Sequence, residues 1–123
     1  GTGADFYFGT HYAALSDPYA FIVIYPSAVS SDGCWDVHSR ATLTHNGGSD
    51  SRGIVSMVKY VEHNYNGDPN RVYVTGHSNG GSMTHQLSCV AADMFAAGAA
   101  VAFPLPSLIH RRSSSPVRLA LEE

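Results

Sequence analysis

Arg71-Val72-Tyr73-Val74-Thr75-Gly76-His77-Ser78-Asn79-Gly80 is the stretch on which the fold of this chain turns. Arg71 to Thr75 is an apolar run of strand character. Gly80 to about Ala92 reads as a helix, with Met83, Leu87 and Val90 or Ala91 on its inner face. Between them stands a serine flanked two residues on either side by glycine, Gly76 and Gly80, with Gly81 adding slack. A sharp strand-to-helix turn of this kind needs little side-chain bulk, and it presents the serine hydroxyl to solvent. Such a serine is a poor nucleophile until a base removes its proton and a rigid turn presents it. Ser78 is therefore the candidate nucleophile, and the backbone N–H of Asn79, the residue after it, is the candidate oxyanion donor. The competing reading is a glycine-rich turn that only lets a helix pack close to a sheet. A phosphate loop is disfavoured, because no Gly-Lys-Ser/Thr follows.

Outward from the elbow the same alternation repeats. Ala20 to Tyr25 is a continuous apolar run ended by Pro26, as expected of a strand covered on both faces. Asp50 or Ser51 can cap a helix beginning near Arg52. Ile54, Val58, Val61 and Tyr65 then fall on one stripe of a 3.6-residue period, widened by Met57. Gly67-Asp68-Pro69-Asn70 turns the chain, and Ala96 to Phe103 is a further apolar strand closed by Pro104 and Pro106. Asp5 to Leu15 suits a short helix interrupted near Gly9. Strand, helix, strand, helix, strand implies crossover connections and a mostly parallel sheet with flanking helices, an α/β fold. Ser27 to Asp50 is polar and irregular. A connection of that length is usually functional or disordered. From Pro104 the pattern stops, so residues 1–103 read as the core unit and 104–123 as an atypical tail.

Composition narrows the class. The 123 residues suffice for one core, since a domain of this size buries roughly two thirds of its unfolded surface. An apolar fraction of 44% suits a folded protein; a charged fraction of 14% and a net charge of -3 argue against a nucleic-acid surface. No stretch is long and apolar enough to span a bilayer, so no membrane partner is expected. The Tyr and Gly content with few charges leans toward an extracellular protein. Cys34 and Cys89 either pair with each other or remain thiols. No signal peptide is visible, and a start at Gly1 without Met suggests a processed or truncated beginning.

The partners of the serine are missing from their expected places. The order for such a site is Ser, then acid, then His. After Ser78 the only Asp is Asp93, and apart from His85 on the elbow helix the only His is His110. Neither stands where later loops would bring it, so the acid and base read as absent. His77 neighbours the serine in sequence, but its side chain should point away; it reads as a wall of the pocket and a substrate-binding candidate rather than the base. His63 and His85 do not converge with carboxylates at ligand spacing, so no metal is expected, and nothing calls for a cofactor.

Several stretches are more specific than the elbow alone. They are Tyr19-Ala20-Phe21-Ile22-Val23-Ile24-Tyr25-Pro26, Cys34-Trp35-Asp36-Val37, Thr42 through Ser51 with its Gly47-Gly48-Ser49-Asp50-Ser51 helix entry, Ile54 to Tyr60, Arg71 to Thr84, and Phe95 to Ala99. In these the chain resembles the fungal acetylxylan and feruloyl esterases of the polyhydroxybutyrate-depolymerase-like family, within the α/β-hydrolase superfamily. The resemblance covers roughly residues 1 to 103. It implies a partial α/β-hydrolase fold and a secreted serine carboxylesterase that removes acetyl or feruloyl groups from plant cell-wall xylan. Ser78 matches the family nucleophile. Trp35 would lie near the pocket and stack on a sugar or aromatic acyl group, with a structural Trp as the alternative. Cys34 would pair with a cysteine further along. The resemblance also implies that the first core strand, the loop carrying a second oxyanion donor, and the family acid and base are missing, so that the chain alone is weakly active or inactive. Polyester depolymerisation, general esterase activity and a non-catalytic remnant are the competing functions.

Overall fold

The computed structural model describes residues 2–102 and 118–119. His110, Phe103, Pro104, Pro106 and the serine-rich part of the tail lie outside the described residues. The N-terminal segment forms two short helices, α1 (Gly3–Gly9) and α2 (Tyr12–Tyr19), broken where the glycine predicted it. Thr2 and Asp5 cap α1 reciprocally: the Asp5 N–H donates to Thr2 Oγ1 at 3.2 Å and the Thr2 N–H to Asp5 Oδ2 at 2.7 Å. After a long connection come α3 (Ser49–Tyr65), β1 (Tyr73–His77), α4 (Asn79–Val90) and β2 (Ala97–Val101), and residues of the tail add β3 (Arg118–Leu119). The three strands form one parallel sheet in the order β1-β2-β3.

The expected strand over Ala20 to Tyr25 is not a strand. Ala20 is left-handed at φ 53°, the peptide groups of the run join no ladder with the described residues, and Ile22 is exposed. Only Ile24 of it packs against the core. An apolar run is a necessary condition for a buried strand; a neighbouring strand in register is the other, and among the described residues none lies beside it. The strand predicted over Arg71 to Thr75 sits two residues later, although pairing already begins upstream, where the Ala96 N–H donates to the Val72 carbonyl at 2.8 Å.

The core lies between α3, α4 and one face of the sheet. Ile54 and Val58 of α3, Met83 and Leu87 of α4, and Ala91 and Phe95 beyond it form a single buried cluster. The inner face of α4 is as the periodicity predicts, with Leu87 fully buried. The α3 stripe is buried only over its first half. Val61 is half-buried, while Met57 and Tyr65 are exposed, and the Tyr65 ring instead meets Tyr60 at 6.3 Å between centroids. Gly98 brings α4 onto β2, because a Cβ there would stand 2.7 Å from Ser88 Oγ and 3.4 Å from Thr84 Cγ2. The opposite face of the sheet carries Tyr73, Thr75 and His77, all exposed.

The connection from Ser27 to Gly48 has no regular structure, yet polar side chains fasten it along its length. Asp36 is one hub. Its carboxylate accepts from the N–H groups of His38 at 3.2 Å and Ser39 at 2.9 Å, and from the Ser39 and Ser49 hydroxyls at 2.5 and 2.7 Å. The Asp36 N–H donates to Asp50 Oδ2 at 2.7 Å. That use of Asp50 explains why neither predicted cap is one: Gly48 is the N-cap of α3, and Ser51 is buried in a second hub. There Thr42 and Ser51 share a hydroxyl contact of 2.7 Å, and Gln86 Nε2 lies 3.0 Å from the Thr42 carbonyl and 2.7 Å from both hydroxyls. Two amide protons are thus shared among three oxygens in a buried site. His45 Nδ1 closes the far end on the Val90 carbonyl.

Cys34 and Cys89 are both free and exposed, so they are not joined to each other. Helix geometry accounts for it. Trp35, next to Cys34, is held at Asn79 where α4 begins, whereas Cys89 lies about 15 Å further along that helix. A disulfide needs its Cα atoms within roughly 7 Å.

The two hubs make separate predictions. Gln86→Ala removes the amide donor that Thr42 and Ser51 share, leaving their oxygens the bonds they make to each other, and should lower unfolding free energy by about 2 kcal/mol in urea titration. Hydrogen bonds, foremost from the Ser39 hydroxyl and then the Ser39 amide, hold the Asp36 carboxyl well below the usual carboxylate range. A carboxylate depressed in the folded state stabilises fully above its unfolded value of about 3.9 and loses that contribution as pH falls through the folded one. The melting-temperature gap between wild type and Asp36→Asn should therefore be widest near neutral pH and shrink steadily below about pH 4.

Candidate active site

Ser78 joins the end of β1 to the start of α4 with φ 54° and ψ -119°. A positive φ is uncommon and costly for a residue with a Cβ, and such strain persists only where neighbours fix it. The neighbours here are plain. The Ser78 N–H donates to the Val101 carbonyl of β2 at 3.0 Å, and the Ser78 carbonyl accepts the first helical bond, from Ser82, at 3.1 Å. Gly76 completes the turn: a Cβ there would stand 2.3 Å from the Gly80 carbonyl oxygen. At Gly80 itself an added Cβ would meet nothing, so the need for a small residue falls on Gly76.

A serine at a helix N-cap ordinarily turns its hydroxyl back onto the amides of the first turn. Ser78 is the N-cap of α4, yet its side chain makes no such bond, and the residue is exposed. The strained backbone aims the hydroxyl outward and leaves the first-turn amides free. Asn79 is the first residue of α4, so its N–H has no partner four residues back. The serine hydroxyl therefore stands beside the positive end of a helix.

The sequence candidates separate clearly. The Asn79 side chain meets Trp35: the Trp35 N–H donates to Asn79 Oδ1 at 2.6 Å, and Asn79 Nδ2 donates back to the Trp35 carbonyl at 3.4 Å. Trp35 is half-buried and packs against the core. His77 is exposed at the end of β1 and lines a cleft of about 390 Å³ with Phe6, Thr10, Tyr12 and Val101. Asp93 lies past the opposite end of α4, about 18 Å of helix away from Ser78, where it lines a second cleft with Arg52 and Met94. His85 is half-buried on α4 with Nε2 unpartnered among the described residues. No described histidine or carboxylate hydrogen-bonds the Ser78 hydroxyl. Among the described residues no group of three or more His, Cys, Asp or Glu side chains could hold a metal ion.

Two roles escape the sequence pattern. One is the side chain of Asn79, whose backbone alone the elbow motif singles out. The other is Gln86, a polar residue on the buried side of α4. Its position beside Met83 and Leu87 on the inner face is the available signal.

The family model for esterase PHB depolymerases matches residues 2–105. Acetylxylan esterase A of Aspergillus ficuum is 51% identical over 98 residues, which take in 80% of this chain and 32% of the relative. Feruloyl esterase B of Talaromyces funiculosus is 43% identical over 118 residues, 95% of this chain and 33% of the relative. The solved structure of an acetyl xylan esterase from Aspergillus awamori superposes with a TM-score of 0.79 at 48% identity, over 80% of this chain and 36% of that one. The chain thus spans about a third of the length of these relatives, and its fold is part of an α/β-hydrolase fold. Strand, strained serine turn and helix coincide with a matched stretch that takes in the whole elbow, and the chain belongs to the esterase PHB depolymerase family.

Proposed function

We propose that this chain carries the nucleophile and one oxyanion donor of a serine carboxylesterase acting outside the cell on acetyl or feruloyl groups of xylan-type polysaccharides. The observation that carries the reading is Ser78: strained at φ 54°, exposed, and with a hydroxyl not used as a cap. The likeness to acetylxylan and feruloyl esterases supports the substrate class. No helix among the described residues is long and apolar enough to cross a membrane.

In this reading Ser78 Oγ attacks the ester carbonyl, and the carbonyl oxygen gathers negative charge toward the Asn79 N–H and the α4 N-terminus. The Oγ proton passes to a base and from it to the departing sugar oxygen, leaving an acyl-serine. Water then attacks that ester and restores the hydroxyl. The described residues hold the nucleophile and a donor; the base is not among those that touch Ser78. Catalysis by the chain alone is accordingly slow, of the residual kind that survives without a base. The family description favours a second reading, a depolymerase of polyhydroxyalkanoates, whose polyester backbone offers the same carbonyl.

A fluorophosphonate probe incubated with the folded chain should label it slowly and to completion, and Ser78→Ala should abolish labelling. Hydrolysis of 4-nitrophenyl acetate should be weak and equally dependent on Ser78. Labelling that persists in Ser78→Ala refutes the assignment. Acetyl release from acetylated xylan, set against clearing of a polyhydroxybutyrate film, separates the two substrate classes.

A further inference from the structure

We propose that the side chain of Asn79 is a positioning residue: by gripping both backbone groups of Trp35, it holds its own main-chain N–H where an ester oxyanion would meet it. This rests on Ser78 being the nucleophile. The peptide linking Ser78 to Asn79 is the one that must be held still. It sits at a helix end, where no bond from a preceding turn restrains it, and it follows a backbone geometry that would relax if released. On one side the Ser78 N–H is tied to β2 through Val101. On the other, among the described residues, the side-chain tie is the Asn79 amide, at 2.6 Å and 3.4 Å from Trp35 N and O.

The anchor is itself fixed. The Trp35 ring packs against the core, and the next N–H along, that of Asp36, is held by Asp50 at 2.7 Å. Chemistry selects the residue. A carboxamide carries one acceptor and one donor group in a plane, matching the N–H and C=O of a peptide; a carboxylate matches only the N–H, and alanine neither. The partners lie 44 residues apart in the chain, so the contact joins the Cys34-Trp35-Asp36 loop directly to the elbow.

The test uses the whole chain and two readouts: amide hydrogen exchange at Trp35, and fluorophosphonate labelling of Ser78 resolved into kinact and KI. Asn79→Ala should speed Trp35 N–H exchange and lower kinact about tenfold while leaving KI unchanged, as expected when a donor is misplaced rather than a binding contact removed. Val58→Ala, a core change far from the elbow in role, should lower the melting temperature and leave kinact as it is. Should Asn79→Ala fail to fold, Asn79→Ser, too short to span both groups of Trp35, gives the same comparison. Faster Trp35 exchange with unchanged kinact overturns the proposal, because the contact is then structural only. Unchanged Trp35 exchange overturns it too. If wild type is labelled no more than Ser78→Ala, the nucleophile assignment itself falls, and this inference with it.

Discussion

The backbone of Gly80 lies so close to Gly76 that no side chain fits between them. On that contact the local architecture depends. It lets α4 start immediately after β1, which forces Ser78 into a positive φ and turns its hydroxyl away from the amides it would otherwise cap. Gly98 repeats the device one strand over, beneath Thr84 and Ser88, so α4 lies flat along both strands. A methyl group at Gly76 would push the helix off the sheet and release the strain that aims the serine.

The long connection before α3 illustrates how a segment without helix or strand becomes rigid. A run of this length carries many peptide groups that need partners. Here short polar side chains provide them: Asp36 gathers a turn, Asp50 accepts from its N–H, and Thr42, Ser51 and Gln86 pair inside the protein. Apart from the local turn at Asp36, these ties end on α3 or α4, so the loop is bound to the same two helices that form the core. The Cys34-Trp35-Asp36 and Gly48-Ser49-Asp50-Ser51 segments, distant in sequence, are the two halves of one fastening.

Much of this was legible in the residues. The elbow was, because glycine spacing, a preceding strand and a following helix report one local geometry that few other arrangements satisfy. The inner face of α4 was, because its period is regular and its burial complete at Leu87. The run from Ala20 to Tyr25 was misread because apolar content records a tendency to be covered, and pairing depends on a neighbour that the run itself does not encode. Tyr65 and Met57 were placed on a buried stripe by period alone, but the period says nothing of where the covering elements end. The capping role given to Asp50 or Ser51 failed for a related reason: both side chains had nearer partners in a loop whose path only the folded chain reveals. At the site, the strained serine followed from its motif, whereas the side-chain half of Asn79 required knowing that Trp35 would arrive beside it.

Trp35 is the sole indole of the chain. It sits half-buried with its backbone clasped by the residue that follows the strained Ser78. Red-edge ultraviolet excitation therefore addresses a single chromophore, placed one side chain away from the elbow. The molecule carries its own optical gauge of that turn, readable without label or substrate.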